Sequence, residues 1–272
     1  MSEIGPLLVA EFLALGTVSG FLAGLLGVGG GMMLVPFMTL ILSHRGVEPG
    51  TAVKMAIATS MATILFTSLS SVRAHHRLPA VRWDIVRGMA PGIVLGGLAA
   101  GAGLFALVKG QALALFFALF IGVMALQLVF DRKPRPGRQM PGIAGQSAVG
   151  SGIGLLSGLL GAGGAFMSVP FMVRCNVPIR QAVGTSAALG FPVALANTVG
   201  YLIAGWGMRS ALPGALGYLY LPALAVVSLA SVSLAPLGAR TAQRMDTAAL
   251  KRLFAVLLFL LAGYMLYKSQ AA

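Results

Sequence analysis

The sequence predicts an all-α, polytopic bundle of transmembrane helices, arranged as two halves of five segments each. Three observations carry this. Of 272 residues, 58% are hydrophobic and 9% charged, with a mean hydropathy of +0.92. A soluble domain carries roughly a quarter charged residues, and a third of that is too little to clothe a water-facing surface. Apolar runs of roughly 20 residues, the length needed to cross a bilayer, recur along the chain. The two halves also repeat one another. Fibrous and disordered classes are excluded too, because 37 Gly and 14 Pro show no triplet period and the apolar content is high.

Eight runs are long enough to span: Leu7–Leu26, Ala52–Val72, Ile85–Val108, Ala112–Phe130, Ile143–Leu160, Ala182–Gly205, Leu219–Ala239 and Ala248–Tyr267. Two shorter runs, Met32–Ser43 and Phe166–Cys175, follow glycine clusters and contain Pro36 and Pro170. Their length marks them as re-entrant or broken helices. No Lys or Arg precedes the first apolar run, while Glu3 and Glu11 sit where a signal peptide would be basic. The first segment is therefore expected to belong to the fold. The stretch Asp131–Gly142 (DRKPRPGRQMPG) reads as a mobile, water-exposed linker without chemistry. This divides the chain into a first repeat (1–130), a basic cytoplasmic linker (131–142) and a second repeat (143–272).

The duplication is explicit. Residues 24–38 read GLLGVGGGMMLVPFM and residues 158–172 read GLLGAGGAFMSVPFM. Ala56-Ile57-Ala58-Thr59-Ser60 matches Ala182-Val183-Gly184-Thr185-Ser186, Gly101-Ala102 matches Gly238-Ala239, and Phe117 matches Phe254. An ordered series that includes glycine, proline and Thr-Ser is not a by-product of shared hydrophobicity.

An odd number of segments per half inverts the second copy. With the N-terminus outside, fourteen of the nineteen basic residues fall on the cytoplasmic side, among them Arg73, Arg82, Arg132, Arg138, Arg174, Arg180, Arg240 and Arg252. Arg45, Lys54, Lys109, Arg209 and Lys268 stay outside. This positive-inside bias supports the inversion and an inner (plasma) membrane location with both termini outside. It also accounts for the net charge of +13 without nucleic acid, for which no motif is present. The lone Cys175 excludes an internal disulfide and reads as a packing residue.

Isolated glycines such as Gly96, Gly97 and Gly101 suit close helix packing. The clusters Gly27–Gly31 and Gly161–Gly164 differ, because each joins a long helix to a short one. Glycine permits a sharp reversal, and the short helix then presents free N–H groups at its positive end. Two such ends from opposite faces would bind an anion near the midplane without a charged side chain. Thr59-Ser60 and Thr185-Ser186 lie nearby in the repeat and either donate to an oxyanion or satisfy their own helix carbonyls. Asn197 and Gln127 are polar groups inside spans, able to bind substrate or bridge helices.

Glu48, Asp84, Asp131 and Asp246 read as loop residues, leaving only Glu11 within a span. No central carboxylate relay is evident, so proton coupling would travel with a protonated substrate or through Glu11. Ser157 could serve as a nucleophile by type, but His44, His75 and His76 read as loop residues. No cluster suits a metal, so no enzyme and no cofactor is predicted.

The paired glycine motifs, the Ala-Val-Gly-Thr-Ser run at 182–186 and the stretch from Leu216 through LGARTAQRM and LKRLFAVLLFLLAGYML resemble the sulfite exporter TauE/SafE family of permeases. The resemblance covers nearly the whole chain and implies export of sulfite, sulfoacetate or related organosulfonates. Ala58, where the second copy has Gly184, is a small departure. The expectation is a lipid-embedded permease for a small anion, with a homo-oligomer left open, whose site is framed by Gly29, Gly30, Gly31, Thr59, Ser60, Gly163, Gly164, Thr185, Ser186 and Asn197. An anion channel and a non-transporting scaffold subunit are the alternatives.

Overall fold

A computed structural model describes residues 5–26, 31–76, 81–130, 137–208, 212–242 and 247–270. The first half holds α1 (Pro6–Leu26), α2 (Gly31–His44), α3 (Pro49–His76), α4 (Trp83–Leu107) and α5 (Gly110–Phe130). The second half holds α6 (Ile143–Leu160), α7 (Ala165–Arg174), α8 (Ile179–Ala204), α9 (Leu221–Ala242) and α10 (Thr247–Gln270). Seven of these are long and apolar enough to cross a membrane. Two of the others are the proline-containing α2 and α7, and the apolar part of α10 is Phe254–Gln270.

Several boundaries differ from the sequence reading for local reasons. Helix α3 starts three residues before its apolar run because Glu48 caps it. The Glu48 carboxylate accepts the N–H of Gly50 (2.9 Å) and Thr51 (2.7 Å), with Pro49 as first helical residue. These bonds, with one from the Thr51 hydroxyl as the largest contribution, hold Glu48 below its ordinary carboxylate pKa. Asp84 lies in the first turn of α4, not in a loop. His44 ends α2, and His75 and His76 end α3. Leu219–Tyr220 does not start a helix; it pairs with Ala215–Leu216 in a two-residue antiparallel ladder, and α9 begins at Leu221. At the near end of the linker, Gly137 and Arg138 both donate to the Arg174 carbonyl (3.2 and 3.1 Å), so this part is tied to the end of α7.

The helices of the two halves pack reciprocally. Helix α1 lies along α9, and α6 along α4; α3 packs on α8, and α5 on α10. Glycine makes the closest crossings. On α4, a Cβ added to Gly92 or Gly96 would overlap the carbonyls of Ser147 or Ser151 on α6. In the reverse direction, Gly150 and Gly154 on α6 sit against the carbonyls of Met89 and Ile93. Gly16 on α1 would place a Cβ 2.9 Å from the Val227 backbone on α9. Backbone-to-backbone approach of this kind is how helices gain contact where lipid removes the hydrophobic drive. Helix α4 widens to a π-helix over Ala99–Leu104 where Gly101 meets Gly200 of α8.

Polarity runs opposite to that of a soluble domain. Thr59, Ser60, Ser157, Thr185 and Asn197 are fully buried, or nearly so, while Leu95 (67%), Leu229 (74%) and Leu260 (67%) face outward. Such an apolar exterior is stable only against lipid. The protein is a multi-pass membrane protein.

Candidate functional site

Helix α6 ends because Gly161 adopts a left-handed conformation (φ 65°), returning its N–H to the Ser157 carbonyl at 2.8 Å. Gly164, also left-handed (φ 74°), caps α7 and accepts the N–H groups of Met167 (3.1 Å) and Ser168 (2.9 Å). Two left-handed residues within four positions turn the chain, and only glycine adopts them without strain. Gly29 and Gly30 of the first bend lie outside the described residues; Gly31 opens α2 and is buried. Pro36 and Pro170 each occupy the sixth position of their helices, where they withhold one N–H from the ladder.

The two bends meet. A Cβ built on Gly31 would lie 2.7 Å from the Gly161 carbonyl and 3.3 Å from the Ala162 Cα. The Ser60 hydroxyl, on α3, reaches both sides, with the Gly161 carbonyl at 3.3 Å and the Gly31 carbonyl at 3.4 Å. Ile64, one turn further on, borders the Gly31 and Gly163 Cβ positions at 3.1 and 3.4 Å. Among the described residues, no acceptor takes the N–H of Gly163, Ala165 or Phe166. Gly163, Ala165 and Phe166 are partly exposed, whereas Gly161, Ala162 and Gly164 are buried. The start of α7 therefore offers unpaired donors at the positive end of a helix.

The hydroxyl pairs divide their work. Thr59 Oγ1 accepts the N–H of Tyr220 at 3.0 Å, and Thr185 Oγ1 accepts that of Arg82 at 2.9 Å. Each threonine thus holds the amide just before the fourth helix of the opposite half. Ser186 and Ser168 share a hydrogen bond of 2.8 Å that ties α8 to α7. Of the expected site residues that are described, Ser60, Gly31, Gly163 and Gly164 gather where the start of α2 meets the second bend, and the threonines act as cross-half caps in this conformation.

Asn197 stands apart from the bends, in the crossing of α4, α6 and α8. Its amide donates to the carbonyls of Val193 (2.8 Å) and Gly154 (3.3 Å), and its Oδ1 has no partner among the described residues. Gly158 and Gly97 make room for it, and the Tyr201 hydroxyl donates to the Gly158 carbonyl.

Three described groups of charges sit elsewhere. Arg82 binds Asp84 through two contacts of 2.9 and 2.6 Å, and that hydrogen bonding raises the guanidinium above its ordinary value. Glu11 pairs with Arg45 at 3.4 Å in a partly exposed position. Lys54 donates to the Ala106 carbonyl at 3.1 Å and lies over the rings of Phe105 and Tyr218.

Sequence reasoning missed Ser168 and weighed Ser157 only as a nucleophile. Ser157 Oγ is buried without a partner among the described residues, and it lies 3.1 Å from the Cβ position of Gly164. The available signal was a comparison across the repeat: the aligned first-half residues are Ala23 and Leu34.

Comparison with known proteins agrees with this architecture. A probable membrane transporter protein of Haemophilus influenzae is 32% identical over 258 residues, 94% of this chain and 97% of its own length. A probable membrane transporter protein of Bacillus subtilis, YunE, is 28% identical and covers 93% of this chain and 96% of its own. One from Methanocaldococcus jannaschii is 23% identical, with 96% of each chain covered. No solved structure gives a significant match. The sulfite exporter TauE/SafE family profile matches residues 12–265, nearly every element described above, and this chain belongs to that family.

Proposed function

We propose that the protein is a permease of the inner (plasma) membrane that exports small sulfur-containing anions, sulfite or organosulfonates, at a site between two inverted repeats. The observation that carries this reading is the contact of Gly31 with Gly161 and Ala162, bridged by Ser60. It brings a helix start from each half to one place, where amide dipoles can face a solute. The reciprocal packing of α1 on α9 and α6 on α4 supports the inversion, since a two-fold relation exchanges these pairs. The crossed caps at Thr59 and Thr185 support it independently.

Orientation with both termini outside follows from the basic residues and is supported by proximity. Lys54 reaches the end of α4, and Gly110 packs on Gly50, so the ends carrying Arg45, Lys54 and Lys109 share one face. Arg138 and Arg174 meet through their backbones on one face as well. Alternating access would rock one part of each repeat against the rest, with Thr59, Ser60, Thr185, Ser186 and Asn197 lining or supporting the path.

Uptake into vesicles of purified protein tests this, comparing sulfite, sulfate, sulfonates and carboxylates with and without a proton gradient. The reading expects saturable, mutually competitive uptake of the sulfur anions. Conductance without saturation would point to a channel, and neither signal to a scaffold. Unchanged affinity after Thr59, Ser60, Thr185 and Ser186 are all replaced by Ala would overturn the site assignment.

A further inference from the structure

We propose that the anion site is asymmetric: the second repeat adds to it the Ser157 hydroxyl, beside the amides of Gly163, Ala165 and Phe166, and the site selects singly charged oxyanions. The inference rests on the anion-permease reading and adds a residue and a charge class to it.

Ser157 is fully buried, yet its hydroxyl has no partner among the described residues. A serine inside a membrane helix ordinarily bonds the carbonyl one turn back, here that of Ile153, and this one does not. Its oxygen lies where a side chain on Gly164 would point, 3.1 Å from that Cβ position, so it stands beside the N-cap of α7. The Ser157 carbonyl meanwhile takes the amides of Gly161 and Ala162. What remains free at this corner is one hydroxyl and three backbone N–H groups, all donors, around a partly exposed glycine. A ligand oxygen carrying negative charge satisfies them; water or a cation does so less well.

The first repeat cannot form the same corner. Where the second has Ser157 and Ser168, the first has Ala23 and Leu34. The duplicated fold therefore presents two helix starts but only one hydroxyl-bearing one.

Charge follows from the lining. Among the described residues, the side chains nearest Gly163 and Gly164 are Ile64, Ile153, Val193 and Ser157, three apolar and one neutral hydroxyl. Compensation comes from the two helix ends, each equivalent to roughly half a positive charge. That suits a monoanion such as a sulfonate or hydrogensulfite. A dianion such as sulfate would leave about a full charge uncompensated in a low-dielectric site.

The test uses the full-length protein in proteoliposomes, with labelled methanesulfonate as substrate and sulfate as competitor. Ser157→Ala should raise the half-saturation concentration roughly tenfold or more, the loss of one hydrogen bond to a charged group, with the maximal rate little changed. Ser157→Thr, which keeps the hydroxyl, should restore most of it. Thermal unfolding of Ser157→Ala without substrate should match the wild type, while its stabilisation by methanesulfonate should shrink. Sulfate should compete at least tenfold more weakly than methanesulfonate. Wild-type half-saturation in Ser157→Ala overturns the assignment while saturable uptake leaves the permease reading standing. Equal competition by sulfate overturns the charge selection. Absence of saturable anion uptake in the wild type overturns both.

Discussion

Replacing Thr59 and Thr185 by valine separates two positions that the sequence presents as equivalents. Both substitutions keep the branched shape and remove one acceptor. At Thr59 the lost partner is the Tyr220 N–H, and Tyr220 is 2% exposed. That donor becomes a buried orphan, which costs about 1–3 kcal/mol. At Thr185 the lost partner is the N–H of Arg82, whose side chain is 44% exposed. Water can replace the hydroxyl there, so only the net value of one hydrogen bond is lost, about 0.5–1.5 kcal/mol. Thr59→Val should therefore shift the folded-to-unfolded ratio by about fivefold to 150-fold, and Thr185→Val less. Reversible denaturant titration in mixed micelles reads both values directly. Equal losses, or a larger one at Thr185, would refute the claim that burial of the capped amide sets the magnitude.

Other expectations follow from the same geometry. Gly92→Leu places a side chain into the Ser147 carbonyl on α6 and should destabilise by about 3 kcal/mol or prevent folding, as overpacking does. Gly122→Ala, on α5 with nothing within 4 Å, should be neutral or stabilising by up to about 1 kcal/mol through helix propensity; the same titration compares them. Glu48 has a folded-state pKa below its ordinary 4.5. The unfolded chain therefore binds more protons, and the stabilisation is present above that value and lost as pH falls through the folded pKa. Thermal midpoints of wild type and Glu48→Gln should differ at neutral pH and converge in acid. A constant gap would remove Glu48 as the source.

Ten helical segments were legible because hydropathy and glycine-proline punctuation act locally. Boundaries shifted where a single side chain intervened, as Glu48 did by starting α3 early. The start of α9 was misplaced because Leu219 and Tyr220 are as apolar as helix residues but pair as a strand. Thr59 and Thr185 were found by repetition, but their partners come from the other half of the chain, more than a hundred residues away. For Ser157 the repeat shows a hydroxyl where the first half has Ala23, but that this hydroxyl lacks an acceptor among the described residues is visible only once its neighbours are placed. The reverse holds for Gly96 and Gly101, whose packing role the sequence suggested and the crossings bear out.

The central claim is that the second glycine bend packs against the first half, at α3 and the start of α2, and moves against it during transport. Paired cysteines at Ile64 and Gly163, with Cys175 replaced by Ser, test it. The Gly163 Cβ position lies 3.4 Å from Ile64 Cγ2, close enough for a disulfide after small adjustment. The account predicts that oxidation forms the cross-link and stops saturable uptake, and that reduction restores it. A cross-link that fails to form, or one that forms and leaves uptake unchanged, would contradict it.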